Sequence, residues 1–229
     1  MFPIRDENPS GHTPIVTYSL IALNVLVFLY QVAGPLPFEA TIMVYGYIPA
    51  LFLMDPVGNF YRLFTSMFLH GGPTHLLGNM VYLYIFGDNV EYAFGRTKYL
   101  LFYIVSGLGA SALHTAVSVA SNVPAVGASG AISGILGAYV LLYPRNRIVS
   151  LVFWWFGLAE LVSIPAYHYI WGWFIWQLIP ALLFGESTGV AYWAHVGGFV
   201  TGLILTWRYR KRYYERYVVV EEYYVPIWV

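Results

Sequence analysis

Long apolar stretches separated by short polar ones run through most of this chain. A helix needs about 20 mostly apolar residues to cross the hydrocarbon core of a bilayer. Six stretches meet or approach that length, at about residues 16–33, 74–94, 99–117, 128–143, 163–184 and 190–207. A seventh, 148–161, is short and is followed by Ser163 and Pro165, so it is expected to lie in the membrane interface rather than to span. The pattern predicts an all-α polytopic membrane protein built as a six-transmembrane-helix bundle. Residues 1–15 form an N-terminal segment, 16–207 the membrane domain and 208–229 a C-terminal tail.

Composition agrees with that reading. Hydrophobic residues make up 59% of the chain and charged residues 10%, against about 25% charged in ordinary globular proteins. With a mean hydropathy of +0.63, there is too little polar surface to cover a water-soluble globule. The lipid bilayer is therefore an expected partner, and nucleic acid is not. The N-terminal segment has prolines and polar residues where a signal peptide needs its apolar stretch, so the first span is read as retained. There are no cysteines, which excludes disulfides, a thiolate nucleophile and cysteine metal ligands.

The positions of the charges orient the helices, because cytoplasmic loops collect Lys and Arg. Six spans put both termini on one side. That side then holds Arg5, Arg96, Lys98, Arg145, Arg147, Arg208, Arg210, Lys211, Arg212 and Arg216, leaving Arg62 alone opposite. The termini are thus expected to be cytoplasmic. The second, fourth and sixth spans then begin at the outer face and run inward.

The first turns of those three spans hold the candidate chemistry. The fourth opens Gly127-Ala128-Ser129-Gly130, with Gly134 and Gly137 continuing a smooth helix face. By themselves these glycines mark only close helix packing. The sixth carries Ala194-His195-Val196-Gly197-Gly198, with Gly202 beyond. A histidine inside a membrane helix is costly and is a functional hypothesis by default. Packing the two glycine faces together would bring Ser129 within hydrogen-bond reach of His195, the requirement for a base-activated hydroxyl. Ser133 lies one turn inward and is a second serine able to line the site. On the second span, His75 and Asn79 share one face at i and i+4 and are suitable donors to a developing oxyanion. His70, His75 and His195 also offer three imidazoles for zinc, although no HExxH spacing or nearby acid completes a metal site.

Together these segments resemble the rhomboid intramembrane proteases. Gly127-Ala128-Ser129-Gly130 is similar to that family's GxSG motif. Ala194-His195 with Gly198 and Gly202 is similar to its AHxxGxxxG motif. His70, His75 and Asn79 fit its HxxxxHxxxN motif, Tyr61-Arg62 resembles its Trp-Arg pair, and residues 86–91 (FGDNVE) resemble its segment at the inner end of that helix. The resemblance covers about residues 16–207. It implies Ser129 as nucleophile and His195 as base, in a dyad without a third carboxylate. It also implies an oxyanion hole of His75, Asn79 and the Ser129 backbone N–H, a structural role for His70, and no cofactor or metal. Ser133 stands where some members place an aromatic residue against the catalytic histidine.

The resemblance further implies single-pass transmembrane substrates cut near the outer face. The loop at about 34–73 would lie partly in the outer leaflet. Asn24, His114 and Glu160 are read as inter-helix or interfacial polar contacts, and Asp88 and Glu91 as partners of nearby basic residues. Two other readings compete. A solute transporter would also place polar residues in its helices, though here they cluster at one depth and no inverted repeat is apparent. A non-catalytic rhomboid-like helix binder would be expected to lack the serine or the histidine. Short termini around a bare core point to a prokaryotic cell membrane.

Overall fold

The computed structural model describes residues 2–8, 10–153, 159–185 and 189–221, with residues 210–221 described by their backbone alone. Its long helices follow the apolar stretches closely. They are α1 (Ile15–Ala33), α5 (Pro73–Phe94), α6 (Arg96–Val117), α7 (Ser129–Leu142), α8 (Ala166–Phe184) and α9 (Tyr192–Glu221). Between α1 and α5 lie three short helices, α2 (Phe38–Tyr45), α3 (Pro49–Met54) and α4 (Arg62–Thr65). Among the described residues, α1 and α6 are long and apolar enough by themselves to cross a membrane, and α7 is a shorter apolar helix.

Local sequence explains several helix ends. Pro73 opens α5 at a first-turn position, where its missing N–H costs nothing and its fixed φ suits a helix. Gly95 ends α5 and starts α6, its N–H closing onto the Glu91 carbonyl. Helix α7 is the buried centre of the bundle: most of its residues are inaccessible, among them Ile135, Leu136 and Tyr139. Around it lie Phe86 and Leu83 of α5, Tyr99 and Tyr103 of α6, Ile170 of α8 and Phe199 of α9.

The closest contact is between α7 and α9. A Cβ placed on Gly198 would sit 1.9 Å from the Gly130 carbonyl oxygen, and one on Gly202 would sit 2.1 Å from that of Gly134. Backbone meets backbone here, as small-residue faces in membranes permit. Since Ser129 precedes Gly130 and His195 lies one turn before Gly198, this contact sets the distance between them.

At the opposite end of α7 there is a sheet, so the all-α expectation needs correcting. Strands β1 (Phe2–Asp6), β2 (Arg147–Phe153) and β3 (Ala159–Pro165) form an antiparallel sheet in that order. The apolar run expected to be interfacial is a hairpin in its described parts, while residues 154–158 lie outside them. Its segment RIVSLVF is rich in branched side chains, which suit a pleated surface. Ile148 and Ser150 are fully buried. The sheet takes residues 163–165 from the predicted fifth span and draws the N-terminal segment onto the core. Asp6 accepts hydrogen bonds from Asn89 Nδ2 at 2.7 Å and from the Tyr139 hydroxyl.

The expected basic partners of Asp88 and Glu91 on α5 are absent among the described residues. Glu91 is buried. Its carboxylate accepts the backbone N–H groups of Val16 (3.0 Å) and Thr17 (2.8 Å) and the Thr17 hydroxyl (2.9 Å). It caps α1 in trans, meeting the free donors and positive dipole end of a helix whose N-cap residue is Pro14. Asp88 accepts from the Ser10 N–H and from Asn89. Asn24 bonds back to the Leu20 carbonyl within α1.

Helix α9 outruns the predicted sixth span. Tyr209, at the start of the expected tail, donates to the Ala93 carbonyl at 2.8 Å and stacks on Phe94 with ring centroids 4.4 Å apart. Residues 222–229 of that tail lie outside the described residues.

Candidate active site

Helices α5, α7 and α9 all begin at the end of the bundle away from the sheet, and their first turns converge. His195 Nε2 is 2.8 Å from Ser129 Oγ. Both side chains are partly buried and line a cavity of about 490 Å³ together with His75 and Asn79. The glycine contact between α7 and α9 thus produces the approach that the sequence pattern suggested. Ser133 is different. It is fully buried, and its hydroxyl donates to the Ser129 carbonyl at 2.6 Å within α7, the usual back-bond of a mid-helix serine.

Residues 125–129 are held by the loop that precedes α5. Tyr47 and Ala125 exchange backbone hydrogen bonds at 3.0 and 2.8 Å, and the Gly127 N–H donates to the Ser66 carbonyl at 2.9 Å. The loop itself is clasped by Arg62, whose Nη1 donates to the carbonyls of Met43 and Gly46, both at 2.8 Å. Tyr61 donates to the Val44 carbonyl at 2.9 Å. The Tyr-Arg pair therefore secures the C-terminal carbonyls of α2, and through that loop it supports the segment that leads into Ser129.

Gly127 has φ +127°, a conformation other residues rarely adopt. A Cβ there would lie 2.9 Å from both Cε1 and Nε2 of His75. Its absence lets that edge of the imidazole approach the start of α7. The other ring nitrogen, Nδ1, accepts the Gly71 N–H at 3.2 Å. A neutral imidazole holding an acceptor at Nδ1 carries its hydrogen on Nε2, so His75 points a donor towards the Gly127–Ser129 turn. Asn79 is buried one turn further along α5. Its amide donates to the His75 carbonyl at 3.1 Å, with the side chain on the cavity wall.

His70 stands behind His75, their ring centroids 5.2 Å apart. Its backbone is gripped by Gln31 of α1: the His70 N–H donates to Oε1 at 2.9 Å, and Gln31 Nε2 donates to the His70 carbonyl at 3.1 Å. Burial, reinforced by the neighbouring His75, lowers the His70 pKa to about 4. It is therefore neutral near pH 7. Among the described residues no three His, Cys, Asp or Glu side chains converge as a metal site would require.

Two cavity residues were not anticipated as site residues. His114 of α6 lines the wall, although its place in the sequence suggested only an inter-helix contact. Gln177 of α8 lies with its Oε1 2.9 Å from His195 Nδ1. No motif marks it. It is, however, a strongly polar side chain within the apolar run FIWQLIP, and that was a usable signal. Trp173 and Tyr192 flank the imidazole with ring centroids 6.3 and 6.2 Å away. These aromatics come from α8 and α9, not from the position of Ser133.

The chain is similar to a known family of proteins. Residues 57–212 match the family model described as the Rhomboid domain. The chain is 30% identical over 218 residues to Rhomboid protease AarA of Providencia stuartii, covering 85% of this chain and 72% of that protein. It is 36% identical over 152 residues to RHOMBOID-like protein 4 of Arabidopsis thaliana, covering 63% and 33%. It is also 36% identical over 135 residues to Rhomboid protease GluP of Bacillus subtilis, covering 58% and 26%. The chain thus spans only about a third or less of the last two relatives.

Proposed function

Because the chain belongs to the rhomboid family, we propose that it is an intramembrane serine endopeptidase with Ser129 as nucleophile and His195 as general base. Family membership makes it an integral membrane protein with a helical bundle. The observation that most supports the catalytic reading is the 2.8 Å approach of His195 Nε2 to Ser129 Oγ, in a cavity whose wall also holds His75 and Asn79.

The reaction follows the serine-protease template. His195 takes the Ser129 proton as Oγ attacks a peptide carbonyl. The oxyanion is stabilised by His75 Nε2–H, by Asn79 once its amide turns from the His75 carbonyl, and by the Ser129 N–H at the positive end of α7. His195 then returns its proton to the leaving amine, and water hydrolyses the acyl-enzyme. Side chains and water suffice for every step.

The proposed membrane domain is residues 16–207, crossed six times by α1, α5, α6, α7, α8 and α9. Both termini are cytoplasmic, and the active site opens to the outer face. Ten of the eleven basic residues then lie on the cytoplasmic side, as the distribution of Lys and Arg in membrane proteins requires. Helix α7 has 14 residues from Ser129 to its other end, roughly 20 Å at 1.5 Å per residue. That sets the serine below the outer surface and makes an outward-facing cavity necessary for water to enter.

The substrates are single-pass membrane proteins. A helix in lipid satisfies its own carbonyls, so the scissile bond is exposed only where the helix unwinds. Helix-weakening Gly, Pro or polar residues near the cut are therefore part of the recognition. Incubating the purified protein with a single-pass substrate and mapping the cut by mass spectrometry tests the proposal. One cut in the outer half of the substrate helix is expected, lost in Ser129→Ala and His195→Ala and slowed when the weakening residues become Leu. Cleavage that survives Ser129→Ala would overturn it.

A further inference from the structure

A serine activated by histidine needs that histidine in one tautomer, with a lone pair on the nitrogen that faces the hydroxyl. In serine proteases with a third member, a carboxylate enforces the choice by accepting from the other ring nitrogen. Among the described residues lining this cavity there is no Asp or Glu. Burying a carboxylate at this depth would carry a large desolvation cost. What the structure has instead is the neutral amide of Gln177, 8% exposed, with Oε1 2.9 Å from His195 Nδ1.

The orientation of that amide decides the chemistry. As it stands, Nε2 of Gln177 faces the Trp173 carbonyl at 3.5 Å, one turn back on α8. Rotating the amide by half a turn would set its oxygen against that carbonyl, acceptor to acceptor. It would also aim an N–H at His195 Nδ1, forcing the imidazole hydrogen onto Nε2, where it would face Ser129 Oγ and leave no base. The arrangement observed avoids both conflicts.

We propose that Gln177 is a positioning residue that holds His195 with its hydrogen on Nδ1, so that Nε2 presents its lone pair to Ser129. The inference rests on the serine-protease reading. It adds a third, uncharged member to the pair, supplied by α8. The amide orients the imidazole and turns a carbonyl dipole towards it when it becomes positive, without burying a second charge.

Two substitutions separate this role from packing. Gln177→Met keeps the length and removes the acceptor, whereas Gln177→Glu keeps an oxygen at the same reach. Both lose the N–H that faces Trp173. Turnover of a single-pass substrate is compared in detergent for the parent, these two variants and Ser129→Ala, with thermal unfolding confirming the fold of each. The imidazole tautomer is read from the ¹⁵N signals of His195, identified by their loss in His195→Ala. Gln177→Met is expected to lower kcat about 10- to 100-fold, the worth of one hydrogen bond to a charged group, with KM within about twofold. Gln177→Glu is expected to recover most of that loss, and parent His195 to carry its hydrogen on Nδ1. Parent-like kcat in Gln177→Met, equal losses in both variants, or hydrogen on Nε2 in the parent would overturn the proposal. The tautomer measurement needs no turnover, so failure of the parent to cleave would count against the protease reading and not against this one.

Discussion

One methyl group at Gly198 should separate the two residues on which the proposed chemistry depends. In Gly198→Ala the new Cβ would lie 1.9 Å from the Gly130 carbonyl oxygen and 2.8 Å from its carbon. Both are backbone atoms, so no rotamer change relieves the clash and the helices themselves must part. Reaching the ordinary 3.4 Å contact requires α9 to withdraw from α7 by about 1.5 Å. The displacement falls one turn from His195 and one residue from Ser129. It would stretch the 2.8 Å Oγ–Nε2 contact to about 4 Å, past hydrogen-bond reach. A misplacement of about 1 Å costs on the order of 100-fold in rate, so kcat should fall at least that far. Over-packing of this kind also costs about 1–3 kcal/mol of stability. Gly172→Ala on α8 is the matched control, since no heavy atom lies within 4 Å of its added Cβ. It should leave turnover within about twofold of the parent and be neutral to stabilising by up to about 1 kcal/mol. Initial rates on a single-pass substrate and thermal unfolding in one detergent supply both readouts. A Gly198→Ala protein that cuts at the parental rate would refute the argument that this contact sets the Ser129–His195 distance.

Removing the Glu91 carboxylate should cost stability more than activity. Glu91→Ala leaves the Val16 and Thr17 N–H groups without their acceptor, a loss of about 2–4 kcal/mol. Glu91→Gln retains an acceptor and should lose less, as denaturation midpoints will show. His70 supplies a pH dependence. Its folded pKa of about 4 lies below the usual 6.5, so the unfolded chain binds the proton more readily and stability falls as pH drops from about 6.5 to about 4. The full effect is roughly 3 kcal/mol. The stability difference between parent and His70→Asn should narrow over that range, and a difference independent of pH would contradict the assignment. Ser133→Ala removes only a back-bond within α7 and should leave turnover within about threefold of the parent in the same cleavage assay.

Much of the bundle was legible because membrane helices write their length and boundaries in hydropathy. The predicted spans at 16–33, 74–94 and 99–117 differ from α1, α5 and α6 by at most three residues at either end. The candidate residues were legible for a related reason: reactive side chains stand out at the first turns of apolar helices. The sheet was not legible. A short apolar run reads alike as strand, interfacial segment or buried helix, and the pairing of residues 2–6 with 148–151 is a long-range event that leaves no local pattern. Glu91 was expected to find a basic partner because a sequence displays its charges but not the unpaired N–H groups of a distant helix start. Gln177 was overlooked because its meaning depends on how α8 packs beside α9. Ser133 reads from the sequence as able to line the site, although the hydrogen-bonding habit of mid-helix serines points to the back-bond it makes.

Ser129 is proposed as a nucleophile made reactive by the approach of His195 Nε2. The most direct test is labelling of the purified, folded protein by a fluorophosphonate probe, followed by mass spectrometry of the modified peptide. A single adduct on Ser129 is expected, absent in Ser129→Ala and His195→Ala and retained in Ser133→Ala. An adduct on Ser133, or labelling undiminished in His195→Ala, would contradict it.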